Sequence, residues 1–134
     1  MDSNPTTTTP VASKYKVLIV EDDVVLLKMY EKRLLADGYQ ILTAADGQEA
    51  LDIFNKEKLD LILTDIMMPK VSGIELIEKV RTAKKGKTIP IIAWSNLSFE
   101  EEKQQALSLG VNEYLVKGTL TLEQVSETVK KYLK

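Results

Sequence analysis

Apolar residues along the chain follow two alternating patterns. Short runs rich in Val, Ile and Leu are separated by longer stretches in which apolar residues recur every three to four positions. The runs are Lys16–Val20, Gln40–Ala44, Leu61–Asp65, Ile89–Trp94 and Glu113–Val116. The third carries Leu61-Ile62-Leu63-Thr64 without polar alternation, which predicts a central parallel strand with helices over both faces. In the intervening stretches, Leu27, Tyr30 and Leu34, then Ala50, Leu51 and Phe54, and finally Leu122, Val125, Val129 and Leu133 share helix faces.

Punctuation residues predict the helix ends. Asp46 to Glu49, Ser72 to Glu75, Ser98 to Glu101 and Thr121 to Gln124 have the spacing of N-terminal caps. Gly38 closes the first helix, Lys84-Lys85-Gly86 the third and Gly110 the fourth. Pro90 falls at the start of the fourth strand, where a missing donor is tolerated. Strands alternating with helices at this spacing predict an α/β fold, a parallel sheet joined by right-handed crossovers.

The chain has 134 residues, one domain by length, and Met1 to Ser13 is a Thr/Pro-rich stretch with nothing to bury. We expect a disordered tail over 1–13 and a single domain over 14–134, with no attached output domain. Its 18 basic and 20 acidic residues are spread along the chain, so neither direct nucleic-acid binding nor a membrane face is expected. Neither a membrane span nor a leader pattern is present, and the expected compartment is the cytoplasm. Without cysteine or histidine, thiolate sites and imidazole bases are excluded. Chemistry here has to run on carboxylates, hydroxyls, lysines and a borrowed cation.

Those groups sit where an open α/β sheet places its ligands, past the carboxyl ends of strands. Glu21 and Asp22 follow the first strand, Asp65 ends the third, Ser95 follows the fourth and Lys117 follows the fifth. Each has a blander reading. An acid at a strand end can cap the next turn, and a lysine there is often only solvated. Glu21 and Asp22 before Asp23 are nevertheless one acid more than a cap needs, and Ser98 leaves Ser95 free of capping. Converging carboxylates repel by about 4 kcal/mol per pair at ~4 Å and an effective dielectric near 20, which a divalent cation relieves. Oxygen-only ligands favour Mg²⁺. Asp65 then reads as a nucleophile toward phosphorus, with Lys117 and the Ser95 hydroxyl on the phosphoryl oxygens. Lys84, Lys85 and Lys87 fall at the opposite, amino edge and read as solvated.

From Lys16 to Leu133 the chain resembles the receiver domain of two-component response regulators, of the stand-alone chemotaxis-regulator type. Val20-Glu21-Asp22-Asp23, Leu63 to Pro69 with Gly73, Ser95, and Tyr114-Leu115-Val116-Lys117 carry the resemblance. It implies a flavodoxin-like (βα)5 fold of strand order 2-1-3-4-5. It further implies phosphorylation of Asp65 by a sensor histidine kinase or a phosphotransfer protein, and Mg²⁺ held by Glu21, Asp22, Asp65 and the Met67 carbonyl. Ser95 and Tyr114 would then remodel a face that binds a downstream protein, as a monomer or a phosphorylation-dependent dimer. Such a domain is a signalling phosphoacceptor rather than a conventional enzyme.

Three positions depart from the usual family pattern: Glu21 in place of Asp, Asn96 in place of a small residue, and Gly118 in place of a proline preceded by a cis bond. We expect a trans Lys117–Gly118 bond and a shifted Lys117 loop. The competing readings are a haloacid-dehalogenase-type phosphatase, which wants an acid where Met67 stands, and a flavodoxin-type nucleotide binder, whose phosphate Glu21-Asp22-Asp23 would repel. A third is a pseudo-receiver that binds partners without phosphorylation, suggested by Asn96 and Gly118.

Overall fold

The computed structural model describes residues 15–68, 70–96 and 100–133. The expected tail, Pro69, the Ser98 cap and Leu97, which two residues past Ser95 reads, like Met67, as an apolar side chain unable to orient water, lie outside them. Strands β1 (Lys16–Val20), β2 (Gln40–Ala44), β3 (Leu61–Asp65), β4 (Ile91–Ser95) and β5 (Glu113–Val116) alternate with helices α1 (Val24–Ala36), α2 (Gly47–Lys56), α3 (Gly73–Thr82), α4 (Glu100–Ser108) and α5 (Leu122–Tyr132). All four strand pairings are parallel and the order is β2-β1-β3-β4-β5, as the resemblance implied. Among the described residues, no helix is long and apolar enough to cross a membrane.

Alternation along each strand builds two cores. Leu18, Val20, Ile62, Ile91 and Ala93 point to the α2, α3 and α4 side and pack on Ala50, Phe54, Leu76, Ile77, Val80 and Ala106. Val17, Ile19, Leu61, Leu63, Ile92 and Trp94 point the other way, onto Tyr30, Leu34, Val125, Val129 and Leu133. Every residue of β3 and β4 is buried, so the runs read as continuously apolar. At about 1.5–3 kcal/mol per buried aliphatic or aromatic side chain, these two layers are the main source of stability.

The three expected caps that lie among the described residues, at Asp46, Ser72 and Thr121, fall where the residue spacing placed them. Asp46 accepts from the Glu49 amide at 2.8 Å, but Glu49 returns the bond to Ala45 N rather than to Asp46. Ser72 Oγ accepts from Glu75 N at 3.2 Å. Thr121 and Gln124 form the full reciprocal box, at 3.1 and 2.9 Å.

The third helix and fourth strand differ from expectation at their junction. Helix α3 stops at Thr82, Ala83 is extended, and Lys84–Gly86 is a separate 3₁₀ turn; β4 begins only after Pro90. Arg81 holds the connection that follows. Its guanidinium donates to the carbonyls of Gly86 and Ile89, both at 2.7 Å, to Gly110 O at 2.8 Å and to Asn112 Oδ1 at 3.2 Å. One side chain thus satisfies carbonyls of two connecting loops and ties the entry of β4 to the turn before β5.

The β3–α3 connection brings α3 hard against the end of β3. A Cβ built on Gly73 would lie 2.1 Å from Asp65 O and 2.6 Å from Ile66 Cα, whereas one on Gly118 meets nothing within 4 Å. Gly73→Ala should therefore cost about 2–4 kcal/mol in urea unfolding, because backbone has to move, and Gly118→Ala should stay within about 0.5 kcal/mol of the parent.

Candidate functional site

Glu21 leaves β1 with its amide on Ala44 O at 3.0 Å, and its carboxylate turns back to accept from Asp23 N at 3.0 Å. Asp23 in turn caps α1, accepting from Val25 N and Leu26 N at 3.0 and 3.2 Å. Asp22, between them, is exposed and free of the cap. The local sequence therefore assigns one acid to the helix and directs the other two to the pocket. Asp65 is the last residue of β3, opposite Trp94 of β4, and its Oδ1 accepts from Met67 N at 3.2 Å.

Carboxylate oxygens of Glu21, Asp22 and Asp65 all lie within 4.8 Å of one another. Lys117, from the end of β5, donates to Glu21 Oε1 at 2.7 Å and to Asp65 Oδ2 at 3.0 Å, with its side chain 5 % exposed. All described peptide bonds are trans, Lys117–Gly118 included. The Lys117–Thr119 segment forms a 3₁₀ turn, and the ammonium still reaches both acids. Ser95 ends β4 and is buried; with Asp22, Asp65, Met67 and Asn96 it lines a cavity of about 360 Å³. Met67 and Asn96 form its exposed rim. Tyr114 lies half-buried on β5, its hydroxyl 3.4 Å from Glu102 Oε1 on α4.

Burial pushes the Glu21 carboxyl up, and the Asp65 charge adds to the rise; hydrogen bonds from Lys117 and the Asp23 amide only partly offset this. Burial by itself would lower Lys117, but its bonds to Glu21 and Asp65 outweigh that and leave the ammonium above its usual range. Burial likewise raises the Tyr114 hydroxyl, against a hydrogen bond with the Ser95 side chain.

Glu21, Asp22, Asp65, Ser95 and Lys117, predicted from strand ends, thus converge on one pocket, with Met67 at its rim and Tyr114 behind it. An all-oxygen donor set of three acids, two of them buried, fits a hard divalent cation. Two contacts went unread in the sequence. Lys117 pairs with Glu21 across 96 residues as well as with Asp65, and Glu102 holds Tyr114. Periodicity carries no signal for either.

A family profile for the response regulator receiver domain matches residues 17–130. A probable transcriptional regulator, ycf27, of Guillardia theta is 40% identical over 105 residues, 78% of this chain and 40% of that protein. A gliding motility regulatory protein of Myxococcus xanthus is 33% identical over 127 residues, 95% of this chain and 16% of its own length. The chain therefore spans less than half of these curated relatives. Among solved structures, chemotaxis protein CheY4 of Vibrio cholerae superposes with a TM-score of 0.84 at 33% identity, covering 90% of this chain and 100% of that one. The receiver domain of sensor histidine kinase PA1611 from Pseudomonas aeruginosa PAO1, with a magnesium ion coordinated in its active-site cleft, gives 0.81 at 26% identity, over 90% and 98% of the two chains.

The Lys117 pairing sets a pH-dependent stability. A raised lysine pKa contributes stability that is fully present below the unfolded value of 10.5 and is lost as pH rises through the folded value. Lys117→Met should cost about 3 kcal/mol near neutrality, because it leaves buried carboxylates unpaired. The difference from the parent in urea unfolding should shrink as the pH is carried above 10.5; a difference constant with pH would contradict the pairing.

Proposed function

The chain belongs to the response regulator receiver family, and on that premise we propose that it accepts a phosphoryl group on Asp65 in a Mg²⁺-dependent reaction and thereby switches a partner-binding face. The observation that carries this is the placement of Asp65. One of its oxygens is held by Lys117 and the other by the Met67 amide, at the mouth of a cavity shared with Asp22 and Ser95. A carboxylate fixed at both oxygens is oriented for in-line attack without further ordering.

The donor is a phosphohistidine on a sensor kinase or phosphotransfer protein, the partners with which receiver domains interact. A carboxylate oxygen of Asp65 forms the new O–P bond as the P–N bond breaks, and the electron pair leaves with the imidazole nitrogen, which takes a proton from solvent. Lys117 then exchanges its contact with Asp65 for a phosphoryl oxygen, and Ser95 donates to another. Glu21, Asp22, Asp65 and the Met67 carbonyl are the groups that would hold Mg²⁺. When bound, it supplies positive charge against the transferring oxygens.

The added charge, up to about two units, falls beside Ser95, whose neighbour Tyr114 faces α4. Driving the domain from 1:99 to 99:1 active takes about 5.5 kcal/mol of differential interaction, within reach of two charge-assisted contacts and a cation. The pseudo-receiver reading rested on Asn96 and Gly118. Asn96 is exposed at the rim of the cavity that Asp65 lines, and Lys117, next to Gly118, is bonded to Asp65 in the pocket. The longer relatives carry names as different as transcriptional regulator and gliding motility regulator, so family membership leaves the output partner open.

Incubation with acetyl phosphate and Mg²⁺ should add one phosphoryl mass to the parent and none to Asp65→Asn. Fluorescence of Trp94, the single tryptophan, buried next to Ser95, should change only in the parent. No adduct in the parent would reject phosphoacceptance. Met67, two residues past Asp65 and 56 % exposed at the rim, cannot orient a water for hydrolysis. The aspartyl-phosphate should accordingly be long-lived, and Met67→Asn should shorten its half-life in a chase without donor; an unchanged half-life would remove Met67 from the account.

A further inference from the structure

The edge of the sheet opposite the acidic pocket carries its own charge pattern. Lys56 ends α2, Lys58 and Leu59 precede β3, and Lys84 to Thr88 lead toward β4, so topology collects a lysine-rich strip from two connections. Lys56, Lys58, Lys85 and Thr88 line a cavity of about 520 Å³ together with Leu59, Ile89 and one acid, Glu57. Leu59 and Ile89 are almost fully buried, which makes part of its floor apolar.

The acids at this edge are already engaged. Glu57 pairs with Lys16 at 2.9 Å, and Asp60 Oδ2 accepts from Lys16 N at 2.8 Å. Among the described residues, Lys56, Lys58, Lys84 and Lys87 make no ion pair. Lys85, read from sequence as merely solvated, instead donates to Glu57 O at 3.1 Å and lies 4.9 Å over the Phe54 ring. Gly86, packed so closely that a Cβ would meet Val80 O at 2.1 Å, and Arg81, bonded to Gly86 O and Ile89 O, lock the turn that displays these lysines. Lys56, Lys58, Lys84, Lys85 and Lys87 outnumber Glu57 and Asp60 here, so the strip is a cationic ledge beside an apolar floor, part of it on a locked turn whose backbone needs no further ordering on binding.

We propose that this amino edge docks an acidic segment of a partner protein, one that alternates carboxylates with aliphatic side chains. Charge complementarity and the floor together favour that occupant. Nucleic acid uses a long basic track, whereas this strip is confined to one edge of a chain of net charge −2. A membrane surface is flat and would leave a recessed Leu59–Ile89 floor unfilled. The chain's own N-terminal segment carries a single acid, Asp2, before Tyr15. The proposal is independent of phosphorylation at Asp65, since the two sites occupy opposite edges.

The test is titration of the full chain into a fluorescein-labelled peptide of alternating Glu and Leu, by anisotropy. Binding should be present at about 50 mM salt and weaken steeply by about 300 mM. The triple variant Lys56→Glu/Lys58→Glu/Lys87→Glu should bind at least about tenfold more weakly. An equal charge change elsewhere, Lys28→Glu/Lys32→Glu/Lys103→Glu, should retain most of the affinity, and thermal melts of both should match the parent. Absence of binding, or equal losses in both variants, would overturn the proposal. So would tighter binding of a single-stranded oligonucleotide or of phosphatidylserine vesicles, or parent binding that rises when residues 1–14 are deleted, which would make the tail the occupant.

Discussion

The arrangement at the carboxyl edge depends on one ammonium group. Lys117 stands between Glu21 and Asp65 in a setting where neither acid is well hydrated, and the two carboxylates tolerate each other only through it. A buried cation with two partners costs desolvation that its geometry has to recover, and hydrogen-bond lengths of 2.7 and 3.0 Å are those of charge-assisted contacts. Because the three groups come from the ends of β1, β3 and β5, the strand order itself is under this constraint. A register slip in any of these strands would turn a charged side chain into one of the two apolar layers.

The resting pocket is thus held closed in an electrostatic sense although it is open to solvent. Asp22 remains exposed beside it, and Asp23 is occupied at the helix start, so the acids of one tripeptide have three separate fates. Arrival of a more negative group at Asp65 would redistribute the Lys117 ammonium among its acceptors. Beside this pocket Ser95 hydrogen-bonds with Tyr114, whose hydroxyl is also shared toward Glu102 on α4.

Much of this was legible in the chain because the physics is local or periodic. Burial of both faces of β3 leaves no polar alternation, and Thr121 with Gln124 satisfies a helix start from four adjacent residues. The strand-end rule then located Glu21, Asp22, Asp65, Ser95 and Lys117 without knowledge of their partners. What escaped was decided at long range. Basic residues and a glycine at Lys84–Gly86 look like a helix end, yet α3 stops at Thr82, and the connection after it is held by Arg81, which bonds acceptors as distant as Gly110 and Asn112. Lys85 looked solvated because the carbonyl and ring that hold it, from Glu57 and Phe54, belong to α2 and its end, about thirty residues earlier. The Lys117–Glu21 pair has no sequence signature, as each residue is satisfied by a fold that neither specifies alone.

Arg81 anchors one end of α4. Its guanidinium clamps the turn after that helix, through Gly110 O and Asn112, to the entrance of β4 at Ile89. A helix of nine residues is about 13 Å long. It is tied near both ends: behind Ser108 by three Arg81 bonds of 2.8–3.2 Å to Gly110 and Asn112, and in its first turn by the single 3.4 Å contact of Glu102 with the Tyr114 hydroxyl. The rear is therefore the more firmly held end, and the front answers to one phenol on β5.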